Sequence, residues 1–344
     1  MNPFPLWAYP LVFLVSGALS TLLTPLALQV AVRYGILDHP GPAKSHSKAV
    51  PYLGGAAIAL SFVAAVLVAT AVHPPSSGFP DLALIMAMAV VLVVLGLLDD
   101  LERAPVWLRL LVEAGAGAVM WSIGVSVHLA GVSGPFDALL TVAFVLLVTN
   151  AFNLLDNMDG LSAGIAAITA LGLFGIALDA GEFLVAGLSV ALAGCAAGFL
   201  RHNFHPAKIY MGDAGSLFLG FLLAVLALKL RDTPAHAAPI AGIGAVLFVA
   251  LFDTALVMVT RMIRGVSPFS GGTDHTSHRL VALGLPVRAA VLLIYIVAAG
   301  MSGVGVVFSR HDHTFHTWGV VSLVVVAVAA GVAAGKVDPA RRKR

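Results

Sequence analysis

Long apolar runs recur along this chain with hardly a charge inside them, and that repetition leaves few folds open. About 20 apolar residues cross a bilayer as an α-helix, because hydrocarbon offers backbone groups no partner and a helix satisfies its own. Such windows fall at 11–31, 52–72, 82–98, 107–127, 136–149, 161–178, 183–200, 216–230, 240–260, 287–308 and 318–334. They predict an all-α polytopic membrane protein of about eleven transmembrane helices. It forms a single integral membrane domain over residues 1–344, with a basic tail over about 335–344. Composition agrees, since 60% of the residues are hydrophobic and 10% charged, against about 25% charged in soluble domains. The segment before the first run lacks the basic start of a cleavable signal, so that run reads as a retained helix.

Charge sets the orientation. With the N-terminus outside, every lysine and arginine except Lys229, Arg231 and Arg310 falls on the cytoplasmic side, the bias expected of inner loops. A net charge of +2 is too small to argue for nucleic acid, and the single cysteine, Cys195, excludes an intrachain disulfide framework and a zinc-thiolate site.

Five polar clusters then share the cytoplasmic face: 38–48, 99–100, 150–159, 202–216 and 274–279. A transporter usually places its polar groups near the midplane, on broken helices of repeated halves. Here no internal repeat is evident and the polar groups sit at helix ends. Carboxylates, amides, histidines and lysines at one mouth suit a magnesium-dependent site for phosphorylated substrates, with manganese as the alternative ion.

Asp99 and Asp100 end the third window and point in different directions on a helix, so one can face a metal while the other accepts a proton; such a pair also marks a membrane boundary. Asn150, Asn153, Asp156 and Asp159 recur every three residues, which aligns a strip of oxygens if the stretch winds as a tight helical turn, or else supplies caps and turns. Met211-Gly212-Asp213-Ala214-Gly215-Ser216 opens the eighth window, where free backbone N–H groups at a helix start favour phosphate and Asp213 can hold a bridging cation. An ordinary N-cap is the plainer reading. Glu113 and Asp253 are ionisable groups inside windows, where function or pairing is the expectation, and the sequence names no partner for either.

These three elements together resemble the polyprenyl-phosphate N-acetylhexosamine-1-phosphate transferases (glycosyltransferase family 4). Asp38-His39-Pro40 through Lys44 and His46, Pro51 to Gly55, and Pro268-Phe269 through His275, His278 and Arg279 extend the likeness. The spacing is closer to the branch that primes O-antigen, teichoic acid or other envelope glycans than to the peptidoglycan branch, which typically reads Thr-Pro-Thr-Met-Gly-Gly at 50–55. Ser277 stands where many relatives carry a middle histidine.

The resemblance implies transfer of HexNAc-1-phosphate, first of all GlcNAc-1-phosphate, from a UDP-sugar to undecaprenyl or another polyprenyl phosphate at the cytoplasmic face of a bacterial inner membrane. It implies Mg²⁺ on Asp213 with Asn153, and Asp99 or Asp100 orienting or deprotonating the lipid phosphate. Asp156 and Asp159 then bind the uridine, and Tyr210 stacks on uracil. Asn150, Gly212 and Ser216 join the substrate contacts, while Lys48, His275, His278 and Arg279 neutralise the diphosphate or the leaving UMP, with Lys44 and His46 behind them. A homodimer, the exact sugar, and a phospho-MurNAc-pentapeptide transferase or an anionic-solute transporter stay as open alternatives. A partial match of 156–163 to the CDP-alcohol phosphotransferase motif fails at Gly164, where that motif has arginine.

Overall fold

The computed structural model describes residues 5–39, 49–72, 74, 78–102, 104–129, 131–231, 239–267, 272–310, 313–335 and 337, with side chains left out at 313–318. Lys44, His46 and Lys48, the Pro268-Phe269 stretch and the basic tail beyond 337 lie outside the described residues.

Helix α1 (Ala8–Tyr34) leads through the short strands β1 (Leu37–Asp38) and β2 (Val50–Pro51) to α2 (Gly54–Val72), α3 (Phe79–Glu102) and α4 (Val106–Ser122). Then come α5 (Pro135–Leu155), α6 (Leu161–Ala180), α7 (Phe183–Asn203) and α8 (Gly212–Lys229). The chain closes with α9 (Ile240–Val246), α10 (Phe248–Ile263), α11 (Thr276–Ala282), α12 (Val287–Ser309) and α13 (His313–Gly335). Among the described residues eight helices are long and apolar enough to cross a membrane, nine if the bent pair α9–α10 counts as one. The chain is therefore an all-α polytopic membrane protein. Each of the other predicted windows also falls on a helix, α4 of 17 residues and α13.

Helix α8 is the axis. Every residue from Ala214 to Leu228 is buried, as a helix apolar on all sides requires, with α3, α5, α2 and α6 packed around it. Small residues let its start come close to its neighbours, the usual device where lipid removes the hydrophobic drive between helices. A Cβ on Gly55 of α2 would meet the Gly215 nitrogen at 2.1 Å, and one on Gly96 of α3 would meet the Ala214 nitrogen at 2.4 Å. The strand pair adds to this docking: Tyr52 bridges to Tyr210, and the Gly54 and Gly55 N–H groups donate to the carbonyls of Tyr210 and Met211 at 3.0 and 2.9 Å.

Two elements differ from expectation. The ninth window is broken at Leu247 by a 75° bend, without proline; α9 lies along α12, where Gly242 and Gly305 approach through their carbonyls, while α10 turns towards α5. Helix α5 runs past its predicted end to Leu155, and its C-cap Asp156 leaves helical geometry (φ −77°, ψ 45°). The proposed strip is therefore split, with Asn150 and Asn153 on the helix and Asp156 and Asp159 in the turn after it.

Candidate active site

The N-terminus of α8 gathers side chains from α3, α4 and α5. Asp100, at the end of α3, accepts the Asp213 and Ala214 backbone N–H groups at 2.9 and 3.3 Å. These are donors that a helix start leaves without intrahelical partners. This corrects the expectation that they stand free for phosphate: a carboxylate of the chain itself caps them. Gly212 allows the approach, since it sits at φ 68° and a Cβ there would fall 2.3 Å from Asp100 Oδ2. Tyr52 Oη fixes the same turn by donating to the Asp100 carbonyl at 2.7 Å. With both Asp100 oxygens committed, Asp99 is the member of the pair left facing the mouth.

Asp99 Oδ2 lies 3.1 Å from Arg109 Nη1, and that same nitrogen lies 3.3 Å from Asp213 Oδ2. The other Asp213 oxygen accepts from Asn153 Nδ2 at 2.7 Å, and Asn153 also donates to Ser216 Oγ at 3.0 Å. Asn150, one turn deeper, gives its amide to Glu113 and to the Leu146 carbonyl. It is bound to a buried carboxylate rather than open to a substrate. Arg109, counted from the sequence only among the inner-side charges, is thus central, and one Glu113 oxygen has Asn150 as its partner. Their i, i+4 spacing at the head of a span was the available signal.

The Asp156 carboxyl makes no side-chain hydrogen bond among the described residues; burial, then the carboxylates of Asp213, Asp100 and Asp159, push it well above the usual range. Asp159 accepts from His205 Nδ1 at 2.8 Å and from the Ala207 N–H at 3.0 Å, holding the 204–210 loop. The Tyr210 phenol is pushed up by burial and then by Asp159, Asp38 and Asp156, so its ring borders this acidic group.

The His275 loop docks beside this cluster. Ser277 Oγ donates to Asn157 Oδ1 at 2.6 Å, so the residue in place of the middle histidine fastens the loop to the turn after α5. His275 Nδ1 meets Asp253 Oδ2 at 2.8 Å, and the Thr276 N–H donates to Asp253 Oδ1 at 2.7 Å, which supplies the partner that the sequence could not name. The His278 ring centroid lies 6.3 Å from that of His275, and burial, then His275, hold its pKa down. Arg279 departs from expectation. It is 2% exposed, and its guanidinium donates to the carbonyls of Asp274, Ala334 and Val337 and to Thr260 Oγ1. Those oxygens take four of its five N–H donors, so it clamps the loop to the end of α13.

No three His, Cys, Asp or Glu side chains among the described residues converge as a metal cage. The donor set still fits Mg²⁺, which takes one or two carboxylates from protein and the rest from water and phosphate. Asp213 supplies a carboxylate, and Asn153, its amide turned over, an oxygen.

Residues 82–231, which include most of α3 and all of α4, α5 and α8, match the model of glycosyl transferase family 4. The chain is 33% identical over 297 residues, 83% of its length and 80% of the other protein, to a probable undecaprenyl-phosphate N-acetylglucosaminyl 1-phosphate transferase of Bacillus subtilis (strain 168). It is 31% identical over 360 residues, 94% of its length and 88% of the other, to the decaprenyl-phosphate N-acetylglucosaminephosphotransferase of Mycolicibacterium smegmatis. Against the undecaprenyl-phosphate alpha-N-acetylglucosaminyl 1-phosphate transferase of Escherichia coli (strain K12) it is 29% identical, covering 90% of this chain and 86% of that one. The chain belongs to glycosyl transferase family 4.

Proposed function

We propose that this chain transfers GlcNAc-1-phosphate from a UDP-sugar to undecaprenyl or another polyprenyl phosphate, releasing UMP and leaving a lipid-linked diphosphate sugar that primes envelope glycan synthesis. The meeting of Asp99, Asn153, Asp156 and Asp213 at one end of the bundle carries the reading, and the names of the relatives agree with it. In this reading all eleven predicted helices cross, the N-terminus is outside, and the mouth opens to the cytoplasmic side of a bacterial inner membrane.

Asp213 and Asn153 would hold Mg²⁺ or Mn²⁺, which when bound supplies charge neutralisation to the diphosphate. Asp99 orients the lipid phosphate. An oxygen of the lipid phosphate bonds to the sugar-bearing phosphorus in line as the bond from that phosphorus to the bridging oxygen breaks, and UMP leaves with the electron pair. Asp156, Asp159 and the Tyr210 ring receive the uridine, and His275 and His278 stand towards the leaving phosphate. An apolar groove of ≈ 700 Å³ between α10 and α13, lined by Phe248, Phe252, Val259, Val324 and Val328, reaches Thr260, the residue that touches Arg279. It suits the polyprenyl tail, which no polar pocket could take.

Radiolabelled UDP-GlcNAc with undecaprenyl phosphate and Mg²⁺ tests this. Butanol-extractable label and equimolar UMP are expected, both abolished by EDTA. No lipid product with any UDP-sugar of a panel would overturn the assignment, and uptake of intact solute into vesicles would replace it with transport.

A further inference from the structure

Arg109 is held in a strained compromise. Its Nη1 reaches the mouth, 3.1 Å from Asp99 and 3.3 Å from Asp213. One turn deeper on α4, Glu113 is fully buried, and its Oε1 lies 3.8 Å from Arg109 Nε, beyond hydrogen-bond range. Neither of those two buried atoms has a hydrogen-bond partner among the described residues, although they face each other. A buried donor and acceptor left open are both costly, and a shift of about 1 Å would satisfy both at ordinary N–H···O distance. The pull of Asp99 and Asp213 opposes that shift.

We propose that Arg109 has two seats: between Asp99 and Asp213 while the mouth holds no divalent ion, and on Glu113 once an ion binds Asp213. The inference rests on the metal role given to Asp213 above. A divalent cation on Asp213 replaces the guanidinium as counter-charge and repels it, and Glu113 is the seat that receives it. Arg109 thereby keeps the empty mouth from being a bare group of carboxylates, and competes with the ion for Asp213. Glu113 is a positioning residue that acts on metal affinity through Arg109.

Mn²⁺ binding followed by EPR on the purified full chain, without substrate, tests this in a double-mutant cycle. Arg109→Gln should bind Mn²⁺ about 10-fold more tightly than wild type, a shift of the size such coupled pairs show. Glu113→Gln should bind it about 10-fold more weakly, and the double variant should match Arg109→Gln within about twofold. Unchanged or weaker binding in Arg109→Gln overturns the proposal, even if Glu113→Gln fails to fold. Equal weakening by Glu113→Gln with and without Arg109 overturns it too, because that is only the loss of a distant charge. Asp213→Asn separates the two levels. If wild type binds no Mn²⁺, or Asp213→Asn binds it as wild type does, the metal role of Asp213 falls and takes the inference with it; binding lost in Asp213→Asn but indifferent to Arg109 sinks the inference alone.

Discussion

The start of α8 and the His275 loop are both rich in charged groups, yet they are balanced differently. Around α8, one guanidinium serves Asp99, Asp213 and Glu113, while Asp156 adds a carboxyl with no hydrogen-bond partner among the described residues. Around the loop, Asp253 is matched by His275, Asp274 by two Arg261 nitrogens at 2.8 and 2.7 Å, and Arg279 by four oxygens. Buried charges persist only with partners. In the proposed function the cluster with a surplus of one sign would receive a cation and its phosphates, and the neutralised one is a frame that fixes a loop against it.

The comparison can be broken most forcefully at Asp213. Asp213→Asn should cut turnover by about 10³-fold, the scale of losing a main charge-stabilising group, with its unfolding temperature kept; near-normal turnover would move the active centre elsewhere. Asp274→Ala should do the opposite, removing the carboxylate that takes two nitrogens of the buried Arg261 guanidinium at a cost of about 3–5 kcal/mol, read as a fall in thermal stability in detergent. A stable but inactive variant would make the loop a reacting group instead of a frame.

Asp99 and Asp100 sharpen the first region. Asp99→Asn should lower kcat by about 10²-fold at unchanged stability, as expected for a group that handles a proton or orients a nucleophile. Asp100→Asn weakens a helix cap worth about 1 kcal/mol, so its stability should drop. Identical profiles would contradict the division.

Asp156 supplies a pH test. Its folded-state pKa lies above the unfolded value, so the native chain holds this proton more tightly, and the resulting stabilisation fades as pH rises through the raised value. Asp156→Asn should therefore unfold at a higher temperature than wild type at pH 8, with the gap closing as pH falls. Parallel curves at all pH values would show that the carboxyl is not strained. The smallest effect belongs to Ser277→Ala, which removes one hydrogen bond to Asn157 worth about 1 kcal/mol and should change kcat/KM less than 10-fold.

The helices were legible because about 20 apolar residues have one solution in lipid, and the Asp99-Asp100, 150–159 and 211–216 motifs meet at one end of the bundle. What stayed hidden depends on contacts between distant segments. Asp100 looked like a possible base until its capping of α8, 113 residues on, was visible. Arg109 and Glu113 looked like an inner-side charge and an orphan because their partners lie on α3, α5 and α8. The bend at Leu247 has no proline behind it; it follows from α9 and α10 finding different neighbours. The contacts of Arg279 to Asp274, Ala334, Val337 and Thr260 stayed hidden because charge alone does not say which way a side chain turns.

The central claim is that Asp213 grips a divalent ion against a nucleotide diphosphate. Electron–nuclear double resonance on the Mn²⁺-loaded protein with UDP-GlcNAc measures this directly. A resolved ³¹P coupling, lost in Asp213→Asn, is the predicted result. A ³¹P coupling that survives in Asp213→Asn, or its absence from the wild-type complex, would contradict it.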